Sequence, residues 1–74
     1  MKQRRINRSV SFIERNGVYV FYLDFSFIFI EGGAASIMKT ILEKANIEGV
    51  LDLNGIPNDF VDFLVLKKIV TEEA

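Results

Sequence analysis

The side chains able to do chemistry in this sequence are carboxylates, amines and hydroxyls, because none of its 74 residues is histidine or cysteine. The usual general base, the thiol nucleophile and the commonest metal ligands are therefore missing. Three carboxylates, Asp52, Asp59 and Asp62, cluster late in the chain. The last two are explained by the first turn of a predicted helix, where the helix dipole favours negative charge. We predict that the chain is not an enzyme and uses no cofactor.

Two glycine-containing stretches could hold an ion. The stretch 52-DLNGIPND-59 is superficially similar to a calcium-binding loop, but its glycine comes at the fourth position rather than the sixth, and apolar residues and a proline interrupt the ligands. Gly32-Gly33 could present backbone N–H groups to an anion, yet it lacks the spacing and the lysine of a phosphate loop. We predict no metal site and interpret the two glycines as a strand-to-helix turn.

Positive charge is concentrated at the N-terminus. Lys2, Arg4, Arg5 and Arg8 lie in the first eight residues, and the net charge of −1 leaves −5 for the rest of the chain. A basic arm over residues 1–8 can bind phosphates. A nucleic-acid binder is therefore one alternative function, testable by the salt dependence of binding.

The remaining residues, 9–74, have the length of a single domain. Their longest apolar run, 18–30, contains Asp24 and falls short of the ~20 apolar residues that a membrane span requires. The absence of cysteine fits a reducing compartment. We expect a cytoplasmic protein with no membrane association.

Three strands are predicted from turn signals between aromatic and β-branched runs. Asn16-Gly17 readily adopts the two positive φ angles of a type I′ turn, which places strands at 9–15 and 18–23. Asp24-Phe25-Ser26 offers a second turn, because Asp and Ser hydrogen-bond to nearby backbone, and a third strand follows at 27–31. One long strand bent at Asp24 is the alternative.

The apolar spacing becomes helical after Gly33. A first helix is predicted over 34–45, with an apolar stripe of Ala34, Ile37, Met38, Ile41, Leu42 and Ala45. A short second helix is predicted over 47–55, and a third over 59–69 with Asn58 or Asp59 as its N-cap. The predicted fold class is α+β, with a three-stranded antiparallel sheet followed by three helices.

Both faces of the predicted sheet are apolar, although a half-buried strand should alternate apolar and polar residues. In the third strand, Phe27 and Phe29 point opposite to Ile28 and Ile30, yet both sets are apolar. A domain of this size needs one apolar face for its core, so the other face is expected to meet a partner. That partner is either a second copy of the chain or a peptide added as a strand to the third-strand edge.

The whole pattern resembles the PqqD-like peptide-recognition domains, called RiPP recognition elements. The closest matching stretch is 27-FIFIEGGAASIMKTILEKANIEGVLDLNGIPNDFVDFLVLKKIV-70. It runs from an apolar strand through a Gly-containing turn, an aliphatic helix and a short second helix to a third helix ending L-x-x-x-x-I-V. The resemblance implies a winged-helix-like PqqD fold. It also implies a non-enzymatic module that binds the leader segment of a ribosomally synthesised precursor peptide by strand addition and presents it to a modifying enzyme.

The same resemblance implies a groove between the third strand and the last helix. Its residues would be Phe27, Ile28, Phe29, Ile30, Phe60, Phe63, Leu64, Lys67 and Lys68. Apolar leader residues would enter this groove, and the two lysines would attract leader acids at its rim. Two alternatives remain: a self-associating structural or regulatory protein that forms a homodimer through its apolar sheet face, and the nucleic-acid binder.

Overall fold

The computed structural model describes residues 3–73 of the chain, which form five strands and two helices. In chain order these are β1 (Gln3–Ile6), β2 (Ser11–Arg15), β3 (Val18–Leu23), β4 (Ser26–Ile30), α1 (Gly33–Glu43), α2 (Asn58–Leu66) and β5 (Val70–Glu73). One sheet has the order β2-β3-β4, and β1 pairs with β5 in a second sheet. The predicted fold class is therefore wrong: this α+β domain has two helices and two sheets, not three helices after one sheet. Lys2 of the predicted arm and Ala74 of the predicted domain lie outside the described residues.

Two turns of two residues build the three-stranded sheet. Asn16-Gly17 joins β2 to β3 with φ angles of 55° and 79°, and the Glu14 carboxylate accepts a hydrogen bond from the Gly17 N–H at 2.8 Å. Asp24-Phe25 joins β3 to β4 with φ angles of 50° and 64°, and Leu23 pairs directly with Ser26. Positive φ at both turn residues suits the right-handed twist of the flanking strands. The structure thus has two strands here, not one bent strand, and β4 begins at Ser26.

The segment expected to be a basic arm contributes strand β1. This strand pairs with β5 in antiparallel fashion, so that Ile6 lies opposite Val70, which is almost completely buried. The two strands carry opposite charges, and the Arg4 Nε lies 3.7 Å from a carboxylate oxygen of Glu72. An exposed ion pair contributes only about 0–1 kcal/mol. Backbone pairing and the burial of Val70 are therefore the main reasons for this sheet.

The predicted second helix over 47–55 is absent, and turns that run beside β1 take its place. The side-chain oxygen of Asn46 accepts a hydrogen bond from the Val50 N–H at 3.0 Å, and Gly49 has a φ of 80°. Val50 also forms an isolated antiparallel bridge with Arg5. Backbone groups that a helix would bond internally are instead satisfied by an asparagine side chain and by β1.

The last helix ends at Leu66 and not near residue 69. Lys68 has a φ of 63°, and its N–H donates to the Val65 carbonyl at 3.0 Å. The Ile69 N–H donates to the Leu64 carbonyl, also at 3.0 Å. These two bonds form a Schellman motif, in which Lys68 occupies the position that glycine usually takes. The motif turns the chain so that Ile69 enters the core.

A single hydrophobic core lies between the three-stranded sheet, the two helices and β5. Its fully buried side chains are Phe21, Met38, Ile41, Leu64, Ile69 and Val70. α1 buries two residues of the predicted stripe together with Ala35, and the rest of the stripe is half-buried. The N-cap of α2 is Pro57, without a side-chain cap, so the predicted cap at Asn58 or Asp59 is wrong.

Candidate functional site

The pairing register assigns the side chains of the three-stranded sheet to two faces. Tyr19, Phe21 and Leu23 of β3 are buried, as is Ile30 of β4, so their alternation phase is the inner face that meets the helices. The opposite phase is the outer face. It consists of Ser11, Ile13, Arg15, Val18, Val20, Tyr22, Phe27 and Phe29. The inner face therefore belongs to the core, and no other element within residues 3–73 covers the outer face.

The outer face exposes large apolar side chains. Phe27 and Phe29 are each 64% exposed, Ile13 is 53% exposed and Tyr22 is 39% exposed. Tyr22 and Phe27 are cross-strand partners, and their ring centroids lie 4.9 Å apart. Contact between the two rings leaves much of each surface free for a partner.

A cavity of about 400 Å³ opens between the start of β4 and the end of α2. Its lining comprises Leu23, Asp24, Ser26, Phe27, Ile28, Leu66, Lys67 and Lys68. The β3–β4 turn and β4 form one wall, and the last residues of α2 form the other. The cavity thus combines apolar side chains with two exposed lysines and one carboxylate.

Strained backbone borders this cavity. Four non-glycine residues of the described chain have positive φ, and three of them, Asp24, Phe25 and Lys68, line the cavity or adjoin its lining. For a residue with a Cβ this conformation costs roughly 1–2 kcal/mol. Phe25 is 93% exposed, so its ring contributes little to the fold that would offset the cost. Strained residues of this kind cluster at functional sites.

Four of the nine residues predicted for the groove line this cavity: Phe27, Ile28, Lys67 and Lys68. The other five lie elsewhere. Phe29 belongs to the outer face, while Ile30 and Leu64 are buried in the core. Phe60 and Phe63 are half-buried and pack against the core, with ring centroids 6.1 Å apart. The helix wall of the cavity is therefore the C-terminal end of α2, not its first two turns.

Four residues of the cavity lining were not predicted from the sequence. Leu66 lines the cavity from the last turn of α2, and Ser26 lines it from the start of β4. Leu23 and Asp24 line it from the end of β3 and the turn that follows. The last helix was predicted to continue to residue 69. The role of Leu66 could not be recognised from that prediction, because the early end of the helix determines what its last turn faces. A signal was present in Asp24-Phe25, since a two-residue hairpin turn favours positive φ and neither of these residues is glycine.

β4 is an edge strand that lacks the usual protection against pairing. Within residues 3–73 it pairs with β3 alone. Natural edge strands are often blunted by charged residues or proline, and the β4 sequence, SFIFI, contains neither. The opposite edge strand, β2, carries Glu14 and Arg15. β4 is therefore the edge of this sheet that is open to an added strand.

A second cavity, about 690 Å³, lies between β1 and the loop over residues 50–58. Its charged side chains already have partners. Arg4 lies beside Glu72, and the Asp52 carboxylate accepts a hydrogen bond from the Asn54 N–H at 3.0 Å. These contacts hold local structure and leave few free polar groups for a ligand.

A third cavity, about 370 Å³, borders Tyr19 and the start of α1. Burial raises the pKa of the Tyr19 hydroxyl, and the negative charges of Glu14 and Glu43 raise it further. The phenol therefore remains protonated at neutral pH and is a poor base or nucleophile. In the part of the chain that the structure describes, no three potential metal-binding side chains are grouped.

Two of the basic residues in the predicted arm lie against carboxylates. Arg4 is 3.7 Å from Glu72, and Arg5 is 3.7 Å from Glu73. This pairing reduces the positive charge that the segment offers to phosphates. No helix within residues 3–73 has the length and hydropathy to cross a lipid bilayer.

Comparisons with protein-family models, with curated proteins and with solved structures find no match to this chain.

Proposed function

We propose that this protein is a non-enzymatic binding module that accepts an extended peptide as a fourth strand on the β4 edge. The observation that carries this function is the coincidence of three features at one place. An uncharged edge strand, a cavity beside it and strained residues around that cavity all occur between β4 and the end of α2.

The peptide backbone would hydrogen-bond to the outward-facing N–H and C=O groups of Ser26–Ile30. Such main-chain bonding is largely indifferent to peptide sequence. Selectivity therefore comes from the side chains of the cavity. Ile28 and Leu66 offer apolar contacts to alternate residues of the peptide, because successive side chains of a strand point to opposite sides.

Charge at the rim favours an acidic peptide. Lys67 and Lys68 line the cavity at the end of α2, where a helix C-terminus holds cations favourably. Exposed cations act mainly on the rate of association and on its dependence on salt. Phe25, at the tip of the adjoining turn, presents a free aromatic ring suited to anchoring a bound chain.

We take the class of peptide from the resemblance to RiPP recognition elements: the leader of a ribosomally synthesised precursor, presented to a modifying enzyme. The structure corrects the second helix and the long third helix on which part of that resemblance rested, so the strand edge and the cavity are what support this assignment. A cytoplasmic location belongs to the same proposal.

The test is a titration of the isotope-labelled protein with candidate leader peptides encoded by adjacent open reading frames. A cognate leader should shift the amide signals of residues 24–30 and 66–68. Shifts confined to other parts of the chain would place the binding site elsewhere and contradict the proposal.

A matched pair of charge reversals sharpens the test. Lys67 is the C-cap of α2 and Lys44 is the C-cap of α1, so Lys67→Glu and Lys44→Glu place the same charge change at equivalent helix positions. We expect Lys67→Glu to weaken binding of an acidic leader about threefold to tenfold at low salt and Lys44→Glu to leave it unchanged. Equal effects of the two variants would show that the cavity lysines have no specific role.

A further inference from the structure

The outer face of the three-stranded sheet is large enough to take part in a specific contact. A whole aromatic side chain can bury about 150–250 Å². The exposed fractions of Ile13, Tyr22, Phe27 and Phe29 therefore correspond to roughly 400 Å² of apolar surface. A patch of that size is comparable to the largest apolar patch of a typical monomer, which is often a functional surface.

Two charged residues, Arg15 and Glu31, lie near one end of this face. Arg15, the last residue of β2, is paired across the sheet with Val18. Glu31 is exposed and directly follows β4. Continuing the alternation of Phe27 and Phe29 by one residue beyond the strand assigns it to the outer side, next to Val18, because Tyr19 pairs with Ile30. On this assignment Arg15, Val18 and Glu31 form one row across the sheet. The ion pairs found among residues 3–73 involve neither Arg15 nor Glu31.

This row is complementary to itself under one particular symmetry. A two-fold axis parallel to β3, in the plane between two stacked sheets, places β2 of each copy over β4 of the other. Arg15 of one copy then lies over Glu31 of its partner, and the pair occurs twice. An axis perpendicular to the strands would instead place this charged row over the row of Tyr22 and Phe27.

The positions of the apolar side chains are compatible with the same two-fold axis. Across β3, Ile13 lies on the same row as Phe29, and Ser11 lies on the same row as Phe27. Exchange of β2 and β4 between the copies therefore places the smaller β2 side chains over the exposed phenylalanines. Val20 and Tyr22, on the central strand, approach their own equivalents. Alternating small and large side chains fill a sheet-to-sheet interface of about 10 Å well.

We propose that two copies of this chain form a homodimer by stacking their outer sheet faces around a two-fold axis parallel to β3. The buried apolar area, about 400 Å² from each copy, is below that of a standard stable interface, so the dimer is a weak, reversible one. Stacking covers the face of β4 and leaves its backbone edge free. The dimer can therefore exist whether or not that edge binds a peptide.

The first test is sedimentation equilibrium of the wild-type protein over micromolar to millimolar concentrations at low salt, with charge variants. Arg15→Glu and Glu31→Arg each replace two attractions per dimer by two repulsions, and each should raise the dissociation constant about tenfold. The double variant exchanges the charges and should restore the wild-type value. A monomer throughout, or a dimer that ignores the charge reversals, or a double variant no better than the single ones, would overturn the proposal.

Cross-linking tests the axis separately, because the chain contains no cysteine of its own. Ile13→Cys and Phe29→Cys variants should be linked to each other by a short bismaleimide when mixed, and neither should be linked efficiently to itself. Self-linking of each variant with no mixed product would indicate the perpendicular axis and refute this arrangement.

Discussion

Phe25→Gly tests whether the turn beside the cavity is strained. Phe25 has a φ of 64°, a conformation that costs a residue with a Cβ roughly 1–2 kcal/mol. Glycine relieves this cost but loses about 0.5–1 kcal/mol more conformational entropy on folding. Because the ring is 93% exposed, its removal sacrifices little buried area. The free energy of unfolding should therefore increase by about 0.5–1 kcal/mol.

In a domain of this size, that gain corresponds to a melting temperature about 2–8 °C higher. The assay is thermal and urea denaturation followed by circular dichroism. Phe25→Ala is the matched control, because it removes the same ring but keeps the Cβ and therefore the strain. A glycine variant no more stable than the alanine variant would refute the idea that strain is stored at this position.

The same two variants connect strain with binding. If the Phe25 ring anchors the peptide, both variants should bind a cognate leader at least fivefold more weakly, the loss typical of an anchoring aromatic residue. The glycine variant would then be more stable than the wild type but would bind the leader peptide more weakly. A variant that gains stability and keeps full affinity would exclude Phe25 from the binding site.

Two further predictions concern the core and the loop beside β1. Leu64→Ala removes a fully buried side chain and should lower the free energy of unfolding by about 3–5 kcal/mol, measured by urea denaturation. Phe60→Ala, at a half-buried position, should lower it clearly less. The reverse order would mean that the buried side of α2 is misassigned. Gly49→Ala should lower the free energy of unfolding by about 1 kcal/mol, because Gly49 has a φ of 80°. Gly33→Ala, at the start of α1, should be neutral or stabilising, because an added Cβ there meets nothing within 4 Å. Equal melting temperatures of the two variants would contradict this contrast.

Local turn chemistry made the three-stranded sheet predictable. Asn16-Gly17 specifies a two-residue hairpin turn almost unaided, and the strand predicted at 18–23 coincides with β3. The apolar stripe of α1 was equally clear, because its spacing matches the period of a helix. These signals act over a few residues, so one sequence is sufficient to find them.

The second sheet could not be predicted from local signals. β1 and β5 are short and largely polar, and they pair residues at opposite ends of the chain. Neither strand shows the alternation that marks a half-buried strand. Pairing of β1 with the segment around Val50 also replaced the expected second helix. Tertiary contacts decided these elements, and no pattern within the individual segments specified them.

Only part of the candidate site could be predicted for a related reason. The strand side was located because β4 combines apolar residues with an edge position. The helix side depended on where α2 ends, and Lys68 ends it by adopting a conformation usual for glycine. Since lysine carries no helix-stop signal, the helix wall was predicted to contain Phe60, Phe63 and Leu64 besides the two lysines. Of these residues only the lysines line the cavity, together with Leu66.

Hydrogen exchange of the edge-strand amides, with and without a bound leader peptide, tests the central claim most directly. Strand addition on β4 would protect alternate amides within Ser26–Ile30, because their outward N–H groups gain acceptors from the peptide. The amides of the opposite edge, Ser11–Arg15, provide an internal control and should exchange as before. Binding that protects β2, or that leaves all β4 amides unchanged, would contradict strand addition at this edge.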